Sequence, residues 1–255
     1  MAVASKAVSL SVMLAVVLSG TARAQRWNGG SDYTTYNVEY DGRFTFVRLS
    51  FRPLSGQWGR WRPDLKWDHD WPIAESNLMK LLKELSYVNA YLEGSNILAA
   101  DDPELFKYPV GYVSEPGYWT VSESEAHNLR NYLLKGGFLI FDDFAGRYEW
   151  ANFLDKLRMV LPDAIPMRLD SSHPIFHSFF DIDSLNQMHP YRGVPSEYWG
   201  IFEGNDRSKR LMVIINYNND VGDYWEWSDT GFLPIDFTND SYKLGLNYVV
   251  YAMTH

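Results

Sequence analysis

Two adjacent carboxylates, Asp142 and Asp143, end the apolar run FLIFDDF. A buried ionised carboxylate is costly unless something pairs with it, so the pair either caps a turn or belongs to a ligand or acid/base site. Neighbouring residues at a strand end point to opposite sides and share one site only if the chain turns between them. One is expected to face a crevice while the other caps the next helix or binds turn amides. His173 and His177, four apart in HPIFH, invite a metal reading. Pro174 favours a first helical position, however, which makes His173 a flanking residue. The Glu that a metalloprotease signature sets beside the first His is absent. His173 therefore joins Asp142 and Asp143 as a candidate for acid/base or metal-assisted work.

A second group of acids, Asp220, Asp223 and Glu226, follows another apolar run in NYNNDVGDYWEW. The segment lacks the Gly that a calcium loop needs at its sixth position, so no metal is assigned. Asp220 and Asp223 are read as ligand-binding candidates near the same rim, against the plainer alternative of a solvated acidic loop. A third group is aromatic: Trp58, Trp61, Trp67 and Trp71 lie in one aperiodic stretch with Arg60 and Arg62. Trp and Arg dominate binding patches, so this loop is a candidate platform for a protein partner or a carbohydrate. Any one of these indoles could instead fill a gap beneath the loop.

Several chemistries fall away on composition. The chain has no Cys, which removes disulfides, thiolate metal sites and cysteine nucleophiles together. Ser114 in GYVSEPG misses the G-x-S-x-G spacing of a nucleophile elbow. The formal charge is −9 and becomes −11 without residues 1–24, which hold two bases and no acid, so a nucleic-acid partner is not expected. Those 24 residues carry Lys6, an apolar run and the small-residue signal Ala22-Arg23-Ala24, the pattern of a cleavable signal peptide. The run is shorter than a membrane span of about 20 residues, and no later segment matches one. The expected product is exported, periplasmic or secreted, and without a transmembrane segment.

These residues need elements to hold them. Residues 25–43 are a loose leader that becomes an edge strand near Tyr36 to Tyr40, and residues 44–255 form one domain. FTFVRLSF and KYPVGYVSE predict strands, and Leu78, Leu81, Leu82 and Leu85 line a helix face. Ser122 and Glu125 form a capping box that opens a helix ended by Gly136-Gly137. FLIFDD, a helix through Trp150, Phe153, Leu157 and Leu161, the strand RLMVIINY and a C-terminal helix follow. Continuous apolar strands alternating with amphipathic helices predict an α/β fold, doubly wound, with a mainly parallel sheet and helices on both faces. Ligands in such sheets sit beyond the carboxyl ends of the strands, where Asp142 and Asp143 lie.

The ordered segments YPVGYVSEPGYWTVSESEAHNLRNYLLKGGFLIFDDF, HPIFHSFF and KLGLNYVVYA resemble the family named domain of unknown function 4159. That resemblance, over roughly Phe44 to His255, implies a class I glutamine amidotransferase-like, flavodoxin-like fold whose activity is not established. Active amidotransferases of that kind carry a Cys on the turn that Asp142 and Asp143 occupy here, so glutaminase chemistry is excluded. The leading expectation is a noncatalytic exported module that binds a protein or small ligand, with no cofactor. Its rivals are an envelope hydrolase acting on glycan or carbohydrate through Asp142 or Asp143 with His173, and a structural subunit of an assembly.

Overall fold

Each apolar run that precedes an acid becomes an inner strand of one sheet. A computed structural model describes residues 36–54 and 64–255. The chain divides into two units, Met1–Ser31 and Asp32–His255, and every described residue lies in the second. The segment expected to be a signal peptide, most of the expected leader, and Trp58, Trp61, Arg60 and Arg62 lie outside the described residues.

The strands are β1 Val47–Ser50, β2 Asn96–Ala99, β3 Val110–Ser114, β4 Phe138–Phe144, β5 Met167–Arg168, β6 Glu197–Phe202 and β7 Leu211–Tyr217. They lie side by side in the order β2-β1-β3-β4-β7-β6-β5. The five from β2 to β7 are parallel, whereas at the far edge β6 runs antiparallel to β7 and β5 antiparallel to β6. The chain passes from β1 out to β2 and back across to β3, so connections diverge beside β1.

Alternate residues of the inner strands feed two cores. Leu139 and Phe141 of β4 join Val213 and Ile215 of β7 beneath helices α2 Glu123–Leu134 and α3 Gly146–Val160. Phe138 and Ile140 join Ile214 beneath α1 Ile73–Leu85, α4 Val221–Glu226 and α5 Ile235–Thr254. A strand buried on both sides has no polar face, which explains its unbroken apolar text. Among the described residues no helix is long and apolar enough to cross a membrane.

Local signals work as their chemistry requires. Ser122 Oγ accepts the Glu125 N–H at 3.2 Å, while Glu125 returns a carboxylate to the Ser122 N–H at 2.7 Å. Gly136, at φ +112°, closes the same helix. Two expectations fail. Tyr36 to Tyr40 forms no edge strand; the Asn37 side chain instead pairs with both backbone groups of Ile97, at 2.8 and 2.7 Å. Asn96 answers by bonding both backbone groups of Val38 with its own amide, so side chains replace a ladder along β2. The acidic segment after β7 is no solvated loop, because α4 buries Val221, Gly222, Asp223, Tyr224 and Trp225.

Candidate functional site

The two acids at the end of β4 have different fates. Asp142 is fully buried and accepts hydrogen bonds from the Tyr112 hydroxyl at 2.8 Å and the Gly222 N–H at 2.9 Å. Burial raises its pKa and these donors oppose the rise, so Asp142 pins the first turn of α4 to the sheet. Asp143 turns into the left-handed region at φ +59°, and the β4–β7 register shifts between Phe141 and Phe144. Such a break in the pleat re-aims a side chain. Asp143 thereby lines a pocket of about 270 Å³, where Ser114 Oγ donates to its carboxylate at 3.3 Å.

Every parallel strand but β2 delivers an acid to this pocket from its carboxyl end. Asp70 comes from the segment after β1, Glu115 follows β3, Asp143 ends β4, and Asp220 and Asp223 follow β7. Asp220 caps α4 by accepting the Asp223 N–H at 3.0 Å. One oxygen from each of Asp70, Asp143 and Asp220 lies within 4.8 Å of the others. The same holds for one ligand atom each of His69, Glu115 and Asp143. A larger depression of about 360 Å³ beside β5 and β6 is lined by Arg168, Asp170 and Asp183, with no such convergence among the described residues.

Arg48, buried in β1, positions the first of these loops. Its guanidinium pairs with Glu75 of α1 at 2.5 Å and donates to the carbonyls of Trp67 and His69 at 3.0 and 2.9 Å. The chain flanking these two carbonyls carries Lys66 at φ +65° and Asp70 at φ +63°. Lys66 then reaches Asp64 at 2.9 Å and Glu115 at 3.1 Å, and His69 bonds Asp64 through Nε2 at 2.9 Å and Glu115 through Nδ1.

The charges are unevenly matched. Burial disfavours charge on His69, but the carboxylates of Glu115, Asp143 and Asp64 outweigh it and raise its pKa to about 9. Burial also pushes the carboxyls of Asp70, Asp143 and Asp220 well above their ordinary range, and the repulsion of their acidic neighbours adds to it. At the rim, Arg192 pairs with Glu149 at 3.0 Å, and burial lowers the pKa of His189 to about 4. Perturbed groups in a cleft at strand ends make this pocket the candidate functional site.

Of the residues singled out in the sequence, Asp143, Asp220 and Asp223 meet in this pocket, and Asp142 supports it from below. His173 does not join them. It precedes the 3-10 turn Pro174–Phe176 and accepts the Ile175 N–H at 3.2 Å, with its ring against Phe202 and Tyr251. Phe202 pairs with Leu211 at the start of β7, the end of that strand remote from Asp220 and roughly 20 Å away at about 3.3 Å per residue. Trp67 is 5% exposed within the core, and Trp71 packs against that core, so neither joins an exposed platform.

The polar residues on either side of Trp67, namely Lys66, His69 and Asp70, are the ones that reach the pocket; sequence reading passed over them, and over Glu115 beside Ser114. The signal that finds Glu115, Asp143 and Asp220 is one rule: an acid at or within three residues of the carboxyl end of an apolar strand.

No curated protein matches the chain. The family model described as Domain of unknown function (DUF4159) matches residues 46–253, which include all the strands and every acid of the pocket. The chain therefore belongs to the DUF4159 family.

Proposed function

We propose that the protein is an exported hydrolase whose pocket at the strand ends takes a polar ligand, carbohydrate by class, and acts on it through paired carboxylates. The observation that carries this reading is the convergence of Asp70, Asp143 and Asp220, from three different strand ends, in one concave site. General acid/base work needs carboxyls in reach of one bond, and Asp143 sits on a left-handed turn that aims it there. His69 takes the place that sequence reading gave to His173. Lys66 and Arg192 at the pocket wall offer donors to ligand oxygens, and Tyr118 and Tyr191 offer ring faces.

The reading extends to architecture and compartment. The spatial order β2-β1-β3-β4-β7 supports a flavodoxin-like, doubly wound fold of the glutamine amidotransferase-like kind, in which Asp143 stands where a Cys would lie. Residues 1–24 are then a signal peptide and residues 44–255 one domain. A noncatalytic binding module at the same pocket is the second reading. It is favoured by the ion pairs Lys66–Glu115 and Arg192–Glu149, which already engage part of the wall.

The test is a panel of envelope glycans and oligosaccharides incubated with the full chain and with Asp143→Asn. Release of reducing ends by the wild type alone is the expected result. Binding by both proteins with turnover by neither would leave the noncatalytic module. Neither binding nor turnover across the panel would overturn the carbohydrate assignment.

A further inference from the structure

We propose that Asp70, Asp143 and Asp220 together bind one hard divalent cation, of the class of Mn²⁺, Mg²⁺ or Ca²⁺. The inference rests on reading this pocket as the functional one and departs from the expectation of no metal. Oxygens bound to one such ion at about 2.0–2.6 Å stand about 3–5 Å apart. One oxygen from each of the three carboxylates already lies within 4.8 Å of the other two.

A second observation is independent of that cluster. Asp70 is only 9% exposed, its Oδ2 receives no hydrogen bond from any N–H or hydroxyl among the described residues, and its one side-chain hydrogen-bonding neighbour is another carboxyl, that of Asp223. Buried carboxylate oxygens are rarely left so, because an unmade bond to a charged group is costly. The oxygen is held against the first turn of α4, between Asp220 and Asp223, where a Cβ on Gly222 would lie only 2.5 Å from it. Glycine at 222 leaves room for that carboxylate beside the other acids. Arg48, the buried cation beneath, bonds Glu75 and two backbone carbonyls through two of its nitrogens, and its remaining terminal nitrogen makes no hydrogen bond to Asp70 Oδ2.

The donor set selects the ion. The chain has no thiol. Both ring nitrogens of His69 are engaged, Nε2 by Asp64 and Nδ1 by Glu115, and His189 Nδ1 accepts the Tyr191 N–H at 3.3 Å. The three converging ligand atoms are themselves carboxylate oxygens, which suit hard cations and give soft ones no advantage.

The experiment strips the full chain with chelator and titrates it with Mn²⁺, following free Mn²⁺ by electron paramagnetic resonance. One ion per chain is expected, with at least tenfold weaker binding in Asp70→Asn and in Asp143→Asn and unchanged binding in the exposed control Asp236→Asn. Circular dichroism confirms that each variant is folded, and a Mn²⁺-dependent rise in wild-type melting temperature provides a readout that needs no variant. Absence of stoichiometric binding, or binding in both site variants equal to wild type, overturns the inference. The two readings fail separately. Stoichiometric Mn²⁺ without glycan turnover upholds the cation and removes the hydrolase, whereas turnover indifferent to chelator with no bound Mn²⁺ does the reverse.

Discussion

The pocket has two halves that treat the same chemical group in opposite ways. On one side, Glu115 and Asp64 are matched by Lys66 and His69 within hydrogen-bond reach. On the other, Asp70, Asp143 and Asp220 crowd together, and their carboxyls hold protons well above the usual carboxylate range. The matched half is ordinary fold construction, in which each charge has a partner. The unmatched half costs stability and persists because the surrounding elements over-determine it, as at functional sites generally.

The largest expected effect breaks both halves at once. Arg48→Met removes the anchor of the segment that carries Lys66, His69 and Asp70 and leaves Glu75 buried without its partner. A loss of about 3–5 kcal/mol is expected in chemical denaturation, since the cost is that of an uncompensated buried charge. Adding Glu75→Leu should recover part of it, because the orphaned charge is then gone.

Next comes Gly222→Ala. Alanine favours a helix by about 1 kcal/mol, but its methyl would meet Asp70 Oδ2 at 2.5 Å and the Tyr112 hydroxyl at 2.7 Å. Both neighbours are buried, so overpacking wins, and a net loss of about 1–2 kcal/mol is expected. Pairing it with Asp70→Gly should restore stability if Asp70 is the obstacle.

The pH profile sharpens the contrast. Asp70, Asp143 and Asp220 have folded pKa values raised above the ordinary 3.8, so their protonated contribution is full below that value and fades as pH rises through the raised ones. His69 behaves alike: its contribution is full below 6.5 and is lost as pH rises through about 9. His173 and His189 act in the opposite sense. Burial lowers both to about 4, so their contribution is full above 6.5 and declines as pH falls toward 4. Three carboxyls against two imidazoles make the carboxyl trend win between 4 and 6.5, and His69 adds to it above 6.5, so urea midpoints should fall as pH rises above about 4. Asp143→Asn should make that fall shallower, and His173→Asn should make it steeper between 4 and 6.5.

Much of the fold was legible because its signals are local. Strands buried on both faces read as unbroken apolar runs, and Ser122 with Glu125 announced a helix start. The antiparallel return through β6 was not, since Glu197–Phe202 mixes buried and half-buried residues and fits neither period. The six residues of α4 are too few to show a helical period, and their Asp and Gly read as a turn. At the site, Asp143 and Asp220 were legible because their position follows from the strand they end. Asp70 and His69 were not, because nothing periodic fixes where residues 64–72 go until Arg48 binds their carbonyls. His173 misled because chain order does not reveal which end of the sheet a loop reaches.

The most direct test of the two-halves account is the melting temperature, in chelator at pH 8, of Asp143→Asn against that of Glu115→Gln. Both substitutions remove one carboxylate charge and keep its shape. The account predicts opposite signs: Asp143→Asn rises above wild type as repulsion with Asp70 and Asp220 is relieved, and Glu115→Gln falls below it as Lys66 and His69 lose their partner. Two shifts of the same sign would contradict it.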